Sequence, residues 1–145
     1  MMNARAVTSG GTGLDATRVG DAMHEGVLSC STDTPLSAVA EIMAARGVHC
    51  VVVTESDDLG VWGVISDLDL VAAAGVRDLD AQSAGASAAT PALTIHPGDT
   101  LQRATQMMTE HAVAHLLVVD DESGKPVGVL STLDMARVLA ERSLR

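Results

Sequence analysis

Aromatic residues are nearly absent from this chain. Its 145 residues include one tryptophan, Trp62, and neither phenylalanine nor tyrosine. Proteins that bind single-stranded nucleic acid stack bases on aromatic side chains, so this class is disfavoured. Basic residues are also few, since nine lysines and arginines stand against 19 aspartates and glutamates, for a net charge of −10. Because an acidic surface repels phosphate backbones, we expect no nucleic-acid partner.

Cysteines and long apolar runs are scarce as well. The two cysteines, Cys30 and Cys50, cannot build a disulfide framework, so a reduced, cytoplasmic setting is expected. The longest apolar run, around Val51–Val53, is far too short for a transmembrane helix, and no membrane association is predicted. The N-terminus shows no basic region followed by an apolar stretch, so no secretory signal is expected. Apolar residues nevertheless make up 47% of the chain, which is enough for a packed core.

The sequence contains an internal repeat. Sliding the chain by 65 positions places residues 17–80 on residues 82–145 without a gap, and 13 of the 64 aligned pairs are identical. Five of the identities fall in one heptapeptide, GVISDLD in the first copy and GVLSTLD in the second. We predict a flexible tail at 1–16, one motif at 17–80 and a second motif at 81–145.

Each copy has the pattern of an α+β unit with the order β-α-β-β-α. A short strand, at Leu28–Ser31 and again at Leu93–His96, precedes a helix whose apolar residues recur every three or four positions. Two β-branched strands follow, and a final helix starts at Leu68 or Leu133. Because a unit of about 60 residues buries little surface alone, we expect the copies to pack pseudo-symmetrically through their sheets. Gly75–Pro91, rich in alanine, serine and glycine, is interpreted as a linker with one weak helical turn.

Each heptapeptide places a glycine, a serine and an acid where a strand meets a helix. They are Gly63, Ser66 and Asp69 in the first copy and Gly128, Ser131 and Asp134 in the second. The spacing Ser-x-x-Asp is typical of a helix capping box, which is a purely structural role. A capping box does not account for the glycine, which in a strand often marks the close approach of backbone or ligand. The other interpretation is a small-molecule site, where helix amides favour an anion and the carboxylate binds a ribose diol.

A tandem β-α-β-β-α unit with Gly-apolar-apolar-Ser-x-x-Asp after its third strand resembles a pair of CBS domains, a Bateman module. The resemblance covers residues 17–145. It implies a regulatory module that senses an adenosyl ligand (AMP, ADP, ATP or S-adenosylmethionine) in clefts between the two motifs and signals to a separate effector protein. It also implies a homodimer. No metal and no required cofactor are expected, and the chain is not expected to be an enzyme, because no nucleophile stands beside a base.

The resemblance also assigns ligand-binding candidates, and each site draws on both copies. One site takes Ser131, Asp134 and Gly128, with Met23, Leu28, Val48 and Cys50 around the adenine. The other takes Ser66, Asp69 and Gly63, with Ala88, Leu93 and Val113 around the base. The candidates His49 and His115 stand where the family often places basic residues that contact phosphate.

The residue after Ser66 distinguishes the two sites. Family members that bind phosphates tightly often carry a basic residue between the serine and the acid, whereas the first copy has Asp67 there. A carboxylate about 4 Å from a phosphate costs roughly 4 kcal/mol at an effective dielectric constant of 20, more than a helix N-terminus returns. We therefore predict that the site of Ser131 and Asp134 binds nucleotides better.

Two other interpretations remain open. Asp67 and the lack of arginines at these positions also suit an interaction or structural CBS dimer that has no physiological ligand. The pair His111 and His115 has the spacing of a helical metal site, but the helix is predicted to end near Ala112, so partly exposed histidines are favoured. The two cysteines are interpreted as small apolar core residues.

Overall fold

The computed structural model describes residues 13–55 and 60–143. Most of the tail predicted at 1–16 therefore lies outside the described residues, as do residues 56–59. Near the first described residues, backbone carbonyls accept hydrogen bonds from N–H groups at the start of the helix that begins at Leu101. The N–H of Gln102 donates to the Leu14 carbonyl at 2.9 Å, and the N–H of Leu101 donates to the Thr17 carbonyl at 3.0 Å.

The predicted order of strands and helices is confirmed in both copies. The helices are α1 Val19–Ala22, α2 Leu36–Arg46, α3 Asp67–Ala74, α4 Ala84–Ser87, α5 Leu101–His111 and α6 Thr132–Ser143, with a 3-10 turn at Leu79–Ala81. The strands are β1 His24–Glu25, β2 Ser29–Ser31, β3 Cys50–Thr54, β4 Val61–Ser66, β5 Thr94–Ile95, β6 His115–Val119 and β7 Pro126–Ser131. The fold is therefore α+β. Within the described ranges, no helix has the length and apolarity needed to cross a membrane.

The chain divides into two compact units. The central unit is residues 27–93, and the terminal unit combines residues 13–26 with residues 94–143. The central sheet has the order β2-β3-β4, and the terminal sheet has the order β1-β7-β6-β5. In each unit the first strand of the motif runs parallel to the second, and the next pairing is antiparallel. A register shift recurs at the same place in both antiparallel pairs, at Val53/Thr54 and Val118/Val119.

The unit boundaries differ from those of the sequence repeat because the leading segment of each copy joins the unit of the other copy. His24 belongs to the first copy but pairs with Val129 of β7. Ala89, the residue 65 positions later, pairs with Val64 of β4. The pairing of His24 continues at Glu25 and forms the extra strand β1, which the sequence pattern did not predict. Ala89 forms only a single bridge.

Each unit has an apolar core between its sheet and its long helix. The buried positions follow the predicted helical spacing, with Leu36, Val39 and Met43 on α2 and Leu101, Ala104 and Met108 on α5. They pack with buried strand residues, among them Val51, Val53, Ile65, Leu116, Val118 and Leu130. Burial of these side chains is the main stabilising contribution to each unit.

The segment Gly75–Pro91 contains the short helix α4, in agreement with the predicted helical turn, but its remaining residues are held by specific contacts and do not form a linker. The side-chain amide of Gln82 donates to the carbonyls of Ala73 at 2.9 Å and Arg77 at 3.0 Å, and so closes the C-terminal end of α3. Ala84, at the start of α4, is fully buried. The small residues serve close packing, which composition alone does not distinguish from flexibility.

The two strand glycines of the heptapeptides are required by a close approach of the backbone. A Cβ atom built on Gly63 would collide with the Ala89 carbonyl oxygen, and one built on Gly128 would collide with the His24 carbonyl oxygen. The leading segments therefore lie directly against the glycines. A backbone contact therefore accounts for both glycines, which the capping box alone did not explain.

We predict that Gly128→Ala destabilises the protein by about 1–3 kcal/mol, because the added methyl group must push the backbone at His24 away from β7. Urea unfolding at equilibrium measures the loss. Gly98→Ala is the matched control in the same unit, since a Cβ there meets no heavy atom within 4 Å. Equal effects of the two substitutions would contradict the assignment.

Candidate functional site

The first candidate junction is the point in the central unit where β4 passes directly into α3. Ser66 is the N-cap residue of α3, and its backbone N–H and hydroxyl both donate to Oδ2 of Asp69, at 2.8 and 3.1 Å. The N–H of Asp69 donates back to the Ser66 hydroxyl oxygen at 3.3 Å. The pair therefore forms a complete capping box and satisfies helix-start amides that otherwise lack partners.

The second candidate junction, from β7 into α6 of the terminal unit, repeats this arrangement. The Ser131 N–H and hydroxyl donate to Oδ2 of Asp134 at 2.8 and 3.0 Å, and the Asp134 N–H donates to the Ser131 hydroxyl oxygen at 3.2 Å. The capping role of the Ser-x-x-Asp spacing is therefore present at both junctions. Because Oδ2 is used in the same way at both junctions, the junctions differ only in what surrounds the second oxygen of each aspartate, Oδ1.

The outer oxygen of Asp134 has two further partners. His24 Nδ1 lies 2.8 Å from Oδ1, and Arg137 Nη1 lies 3.3 Å from it. The Asp134 side chain is only 1% exposed, whereas those of His24 and Arg137 are 63% and 57% exposed. A buried carboxylate is thus covered by two partners that themselves remain in contact with solvent.

The two partners of Asp134 also contact each other. Arg137 Nη1 also lies 3.4 Å from His24 Nε2. A guanidinium group only donates hydrogen bonds, so Nε2 is the accepting nitrogen and the proton is on Nδ1. The Nδ1 N–H then donates to Oδ1 of Asp134. His24, Asp134 and Arg137, here called the closing triad, thereby form a consistent hydrogen-bond network.

Asp69 has no such cover. Its side chain is partly exposed, and among the described residues its Oδ1 has no hydrogen-bond partner. The positions that correspond to His24 and Arg137 in the repeat are Ala89 and Ala72. The two junctions therefore share their inner geometry and differ in what surrounds the outer carboxylate oxygen.

Asp67, which was expected to repel phosphate, is paired with a neighbouring candidate residue. Its Oδ2 lies 2.8 Å from His49 Nδ1, and its Oδ1 accepts from the Leu68 N–H at 2.9 Å. The His49 and Asp67 side chains are 66% and 55% exposed, so solvent screens the charge of this pair. His49 therefore contacts the same carboxylate that was expected to repel phosphate.

Comparison with known proteins identifies the family. The family model of the CBS domain matches residues 19–75 and 85–141. This chain belongs to the CBS domain family and contains a tandem pair of CBS domains. Such pairs are generally regulatory modules without catalytic activity. The family membership confirms the resemblance inferred from the two heptapeptides.

Relatives and solved structures agree with the family. An uncharacterized protein of Methanocaldococcus jannaschii is 30% identical over 114 residues, which are 77% of this chain and 60% of that protein, so the chain spans less than two thirds of this relative. The crystal structure of a CBS-domain containing protein from Agrobacterium tumefaciens is similar, with a TM-score of 0.75 and 24% identity, and covers 87% of this chain and 95% of its own. The CBS domain pair of protein MJ0100 has a TM-score of 0.78 and 16% identity, with coverages of 87% and 98%. It was solved in complex with 5′-methylthioadenosine and S-adenosyl-L-methionine.

The other candidate residues are distributed between the two units of the CBS pair. In the central unit, Cys50 is the register partner of Ser66 on the neighbouring strand, and Ala88 lies next to Gly63. Val48, Leu28 and Leu93 are half-buried residues of the same unit. In the terminal unit, His115 is the register partner of Ser131, the Met23 sulfur lies beside Gly128, and Val113 is half-buried. Each predicted ligand set combines residues of both units, and both sets stay predictions.

A shallow groove of about 490 Å³ lies on the central unit, between β2 and α2. It contains one predicted adenine-contacting residue, Leu28, next to Ser29, and its opposite wall comes from Ala38, Ile42 and neighbouring residues of α2. Its volume is within the range of small-molecule sites. The groove is distinct from the serine and aspartate of the same unit, which do not line it.

The other sequence alternatives have clear outcomes. The helix α5 ends at His111, and Ala112 adopts a left-handed conformation with φ of 54°, so His115 starts β6 as predicted. The two histidines are therefore not on one helix. Among the described residues, no group of three or more histidine, cysteine or acidic side chains is placed to hold a metal ion. Both cysteines are free thiols, and Cys50 is buried.

Sequence reasoning missed His24 and Arg137 as site residues. The signal was present in the alignment of the repeat, because both positions align with alanine in the other copy. Neither residue belongs to the heptapeptide, and His24 reaches Asp134 only because the leading segment joins the other unit. The contact depended on a strand pairing that the pattern did not predict.

The Cys50 thiol is kept protonated by its surroundings. Burial raises its pKa from 9.0 to about 12, and the negative charges of Asp69 and Asp67 contribute to the rise. A thiol with such a pKa is a poor nucleophile at neutral pH. Cys50 is therefore suited to contact with an apolar group and not to redox chemistry.

We predict a specific loss of stability at alkaline pH that depends on Cys50. Between pH 9 and about 12 the unfolded chain releases the thiol proton and the folded chain retains it. The free energy of unfolding then falls as pH rises, by up to about 1.4 kcal/mol per pH unit. Urea unfolding of Cys30→Ala and of Cys30→Ala/Cys50→Ala at pH 8.5 to 10.5 measures it. As pH rises, the variant that keeps Cys50 should lose stability relative to the variant that lacks it. A stability difference that does not change with pH would contradict the raised pKa.

Proposed function

We propose that this CBS pair senses an adenosyl ligand, such as AMP, ADP, ATP or S-adenosylmethionine, and transmits its presence to a separate effector protein. The ligand would bind at the serine and aspartate junctions and bias the CBS pair toward one of its conformations. Such a bias requires different ligand affinities in those conformations. The chain's role would then be regulatory.

The observation that carries the proposal is the partly exposed carboxylate of Asp69 at the start of α3. Its Oδ2 is held by Ser66, which fixes the orientation of the group, and Oδ1 has no partner among the described residues. Two adjacent ribose hydroxyls can donate to one carboxylate oxygen, and hydrogen bonds to a charged group contribute roughly 1.5–3 kcal/mol each. A fixed acceptor of this kind suits a nucleoside.

A related structure and the local chemistry support the adenosyl class. The CBS pair of protein MJ0100 holds S-adenosyl-L-methionine and 5′-methylthioadenosine, and both contain an adenine and a ribose. In the present chain Ala88 and Leu93, which the resemblance places around the base of the ligand at Ser66 and Asp69, are half-buried residues of the same unit as Asp69. Apolar neighbours of this size suit the flat face of an adenine.

The alternative is an interaction or structural CBS protein that has no physiological ligand. It is favoured by the acidic character of the first junction, where Asp67 and Asp69 both flank the helix start. It is also favoured by the lack of a lysine or arginine between the serine and the aspartate of either heptapeptide. The two functions differ in a single measurable property, the stabilisation of the protein by small molecules.

We predict that an adenosyl ligand raises the melting temperature of the full chain. At a concentration one hundred times the dissociation constant, a ligand adds about 2.7 kcal/mol to the folded state, which corresponds to roughly 5–10 °C for a chain of this size. Differential scanning fluorimetry with AMP, ADP, ATP and S-adenosylmethionine measures the shift.

The matched control ligand is 2′,3′-dideoxyadenosine monophosphate, which keeps the adenine and the phosphate but lacks the diol. It should give less than a third of the shift produced by AMP. Equal shifts would mean that the aspartate does not bind the ribose. No shift with any adenosyl compound would favour the interaction protein.

We further propose that the CBS pair forms a homodimer through the outer face of α3. Leu68 and Val71, three residues apart on one face, are 73% and 69% exposed, and Val76 just beyond the helix is 77% exposed. Exposed apolar patches of this kind mark interaction sites. The equivalent face of α6 is less apolar, with Leu133, Ala136 and Glu141 in place of Leu68, Val71 and Val76. Because this face is apolar and uncharged, we propose that it packs against the same face of a second copy of the chain.

We predict that Val71→Asp converts a dimer into a monomer, because it buries an unpaired charge in an apolar contact. Sedimentation equilibrium at about 10 μM chain gives the mass. Gln106→Glu, which adds one negative charge on the exposed side of α5, is the control and should leave the mass unchanged. A monomeric wild-type protein, or an unaffected Val71→Asp dimer, would contradict the proposed interface.

A further inference from the structure

We propose that His24 and Arg137 close the junction at Asp134 to ligands, so that Asp69 alone binds the ribose of an adenosyl ligand and each chain holds one ligand molecule. The inference rests on the proposed function. It states which of the two junctions binds the ligand. Because of Asp67, the sequence predicted better binding at Ser131 and Asp134, and the inference reverses that order. It assigns to two residues outside the heptapeptides the role of selecting the binding site.

The argument begins with the hydrogen-bonding capacity of a carboxylate. Two oxygens offer about four acceptor positions. In Asp134, Oδ2 accepts from the Ser131 N–H and hydroxyl, and Oδ1 accepts from His24 and Arg137. All four positions are thus in use. A ribose diol can bind this group only by displacing a member of the closing triad.

Displacement is made costly by burial. The Asp134 side chain is 1% exposed, and hydrogen bonds to a charged group in such a place are among the stronger ones in proteins. A ligand hydroxyl would replace one such bond with another and gain little. It would also have to move a guanidinium group that balances the buried charge.

Asp69 presents the opposite situation with the same cap. Two acceptor positions are filled by Ser66, and within the described ranges the two on Oδ1 are open. The adjacent hydroxyls of one ribose would fill them. Ala89 and Ala72, at the positions of His24 and Arg137, have no polar side-chain atom to compete.

The closing side chains are not needed to hold the fold. β1 is held against β7 by backbone pairing of His24 with Val129 and of Glu25 with Gly128. The central unit keeps the equivalent pairing of Ala89 with Val64 although it has alanine at both closing positions. The double variant His24→Ala/Arg137→Ala therefore reproduces an arrangement that the chain already contains, and we expect it to fold.

Isothermal titration of the full chain with AMP and, separately, with S-adenosylmethionine tests the inference. The two probes carry opposite charges near the ribose, so an effect common to both reports the site and not the change in net charge. The variants are Asp69→Asn, Asp134→Asn and His24→Ala/Arg137→Ala. Arg103→Ala, which removes one exposed positive charge from α5, is the charge control.

We expect one molecule per wild-type chain, at least tenfold weaker binding in Asp69→Asn, and a change of less than twofold in Asp134→Asn and Arg103→Ala. The double variant should bind two molecules per chain. The reciprocal variant Ala72→Arg/Ala89→His should lose the wild-type site. This variant also keeps the inference testable if the alanine variant is unstable, because both of its substitutions lie at exposed positions.

The outcomes separate this inference from the proposed function. Two molecules per wild-type chain, or loss of binding in Asp134→Asn, would overturn the inference and leave the adenosyl sensor standing. One molecule per chain in both the wild type and the double variant would show that His24 and Arg137 do not close the junction. Binding to neither protein would overturn both proposals.

Discussion

The hydrogen bonds between a serine and an aspartate three residues later determine the geometry of both junctions. They satisfy the first amides of α3 and α6 and fix the direction of each carboxylate. Because the inner oxygen is used in this way at both places, the chemical character of each junction depends on the outer oxygen. A structural cap and a binding group are therefore compatible roles for one aspartate, and the neighbouring side chains decide whether the second role is available.

The gapless repeat and the alternation of apolar patterns were sufficient to predict the α+β class, the element order and the strand-to-helix position of the motif. These features depend on local spacing, as in the β-branched run that forms β4 at Val61–Ser66. The composition of Gly75–Pro91 predicted the short helical turn but wrongly predicted a linker around it, because small residues occur in close packing as well as in flexible segments. Gln82 shows the difference, since one side chain closes the end of α3.

The environment of the candidate site was less predictable because it depends on pairings between distant segments. His24 and Asp134 are 110 positions apart and meet through the short strand β1, which carries no apolar alternation of its own. Similarly, the charge of Asp67 was evaluated without His49, which precedes it by 18 positions and pairs with it in the fold. The motif identified the candidate aspartates. Whether each one is free to bind a ligand depends on contacts with distant residues that lie outside the motif.

The pairing of each leading segment with the sheet of the other repeat has a practical consequence. A fragment that contained residues 17–80 alone would carry His24 away from β7 and leave Gly63 without Ala89 against it. Neither copy therefore coincides with a compact unit of the fold, although the duplication is plain in the sequence. Removal of one copy would leave the sheet of the other copy without the segment that packs on its strand glycine.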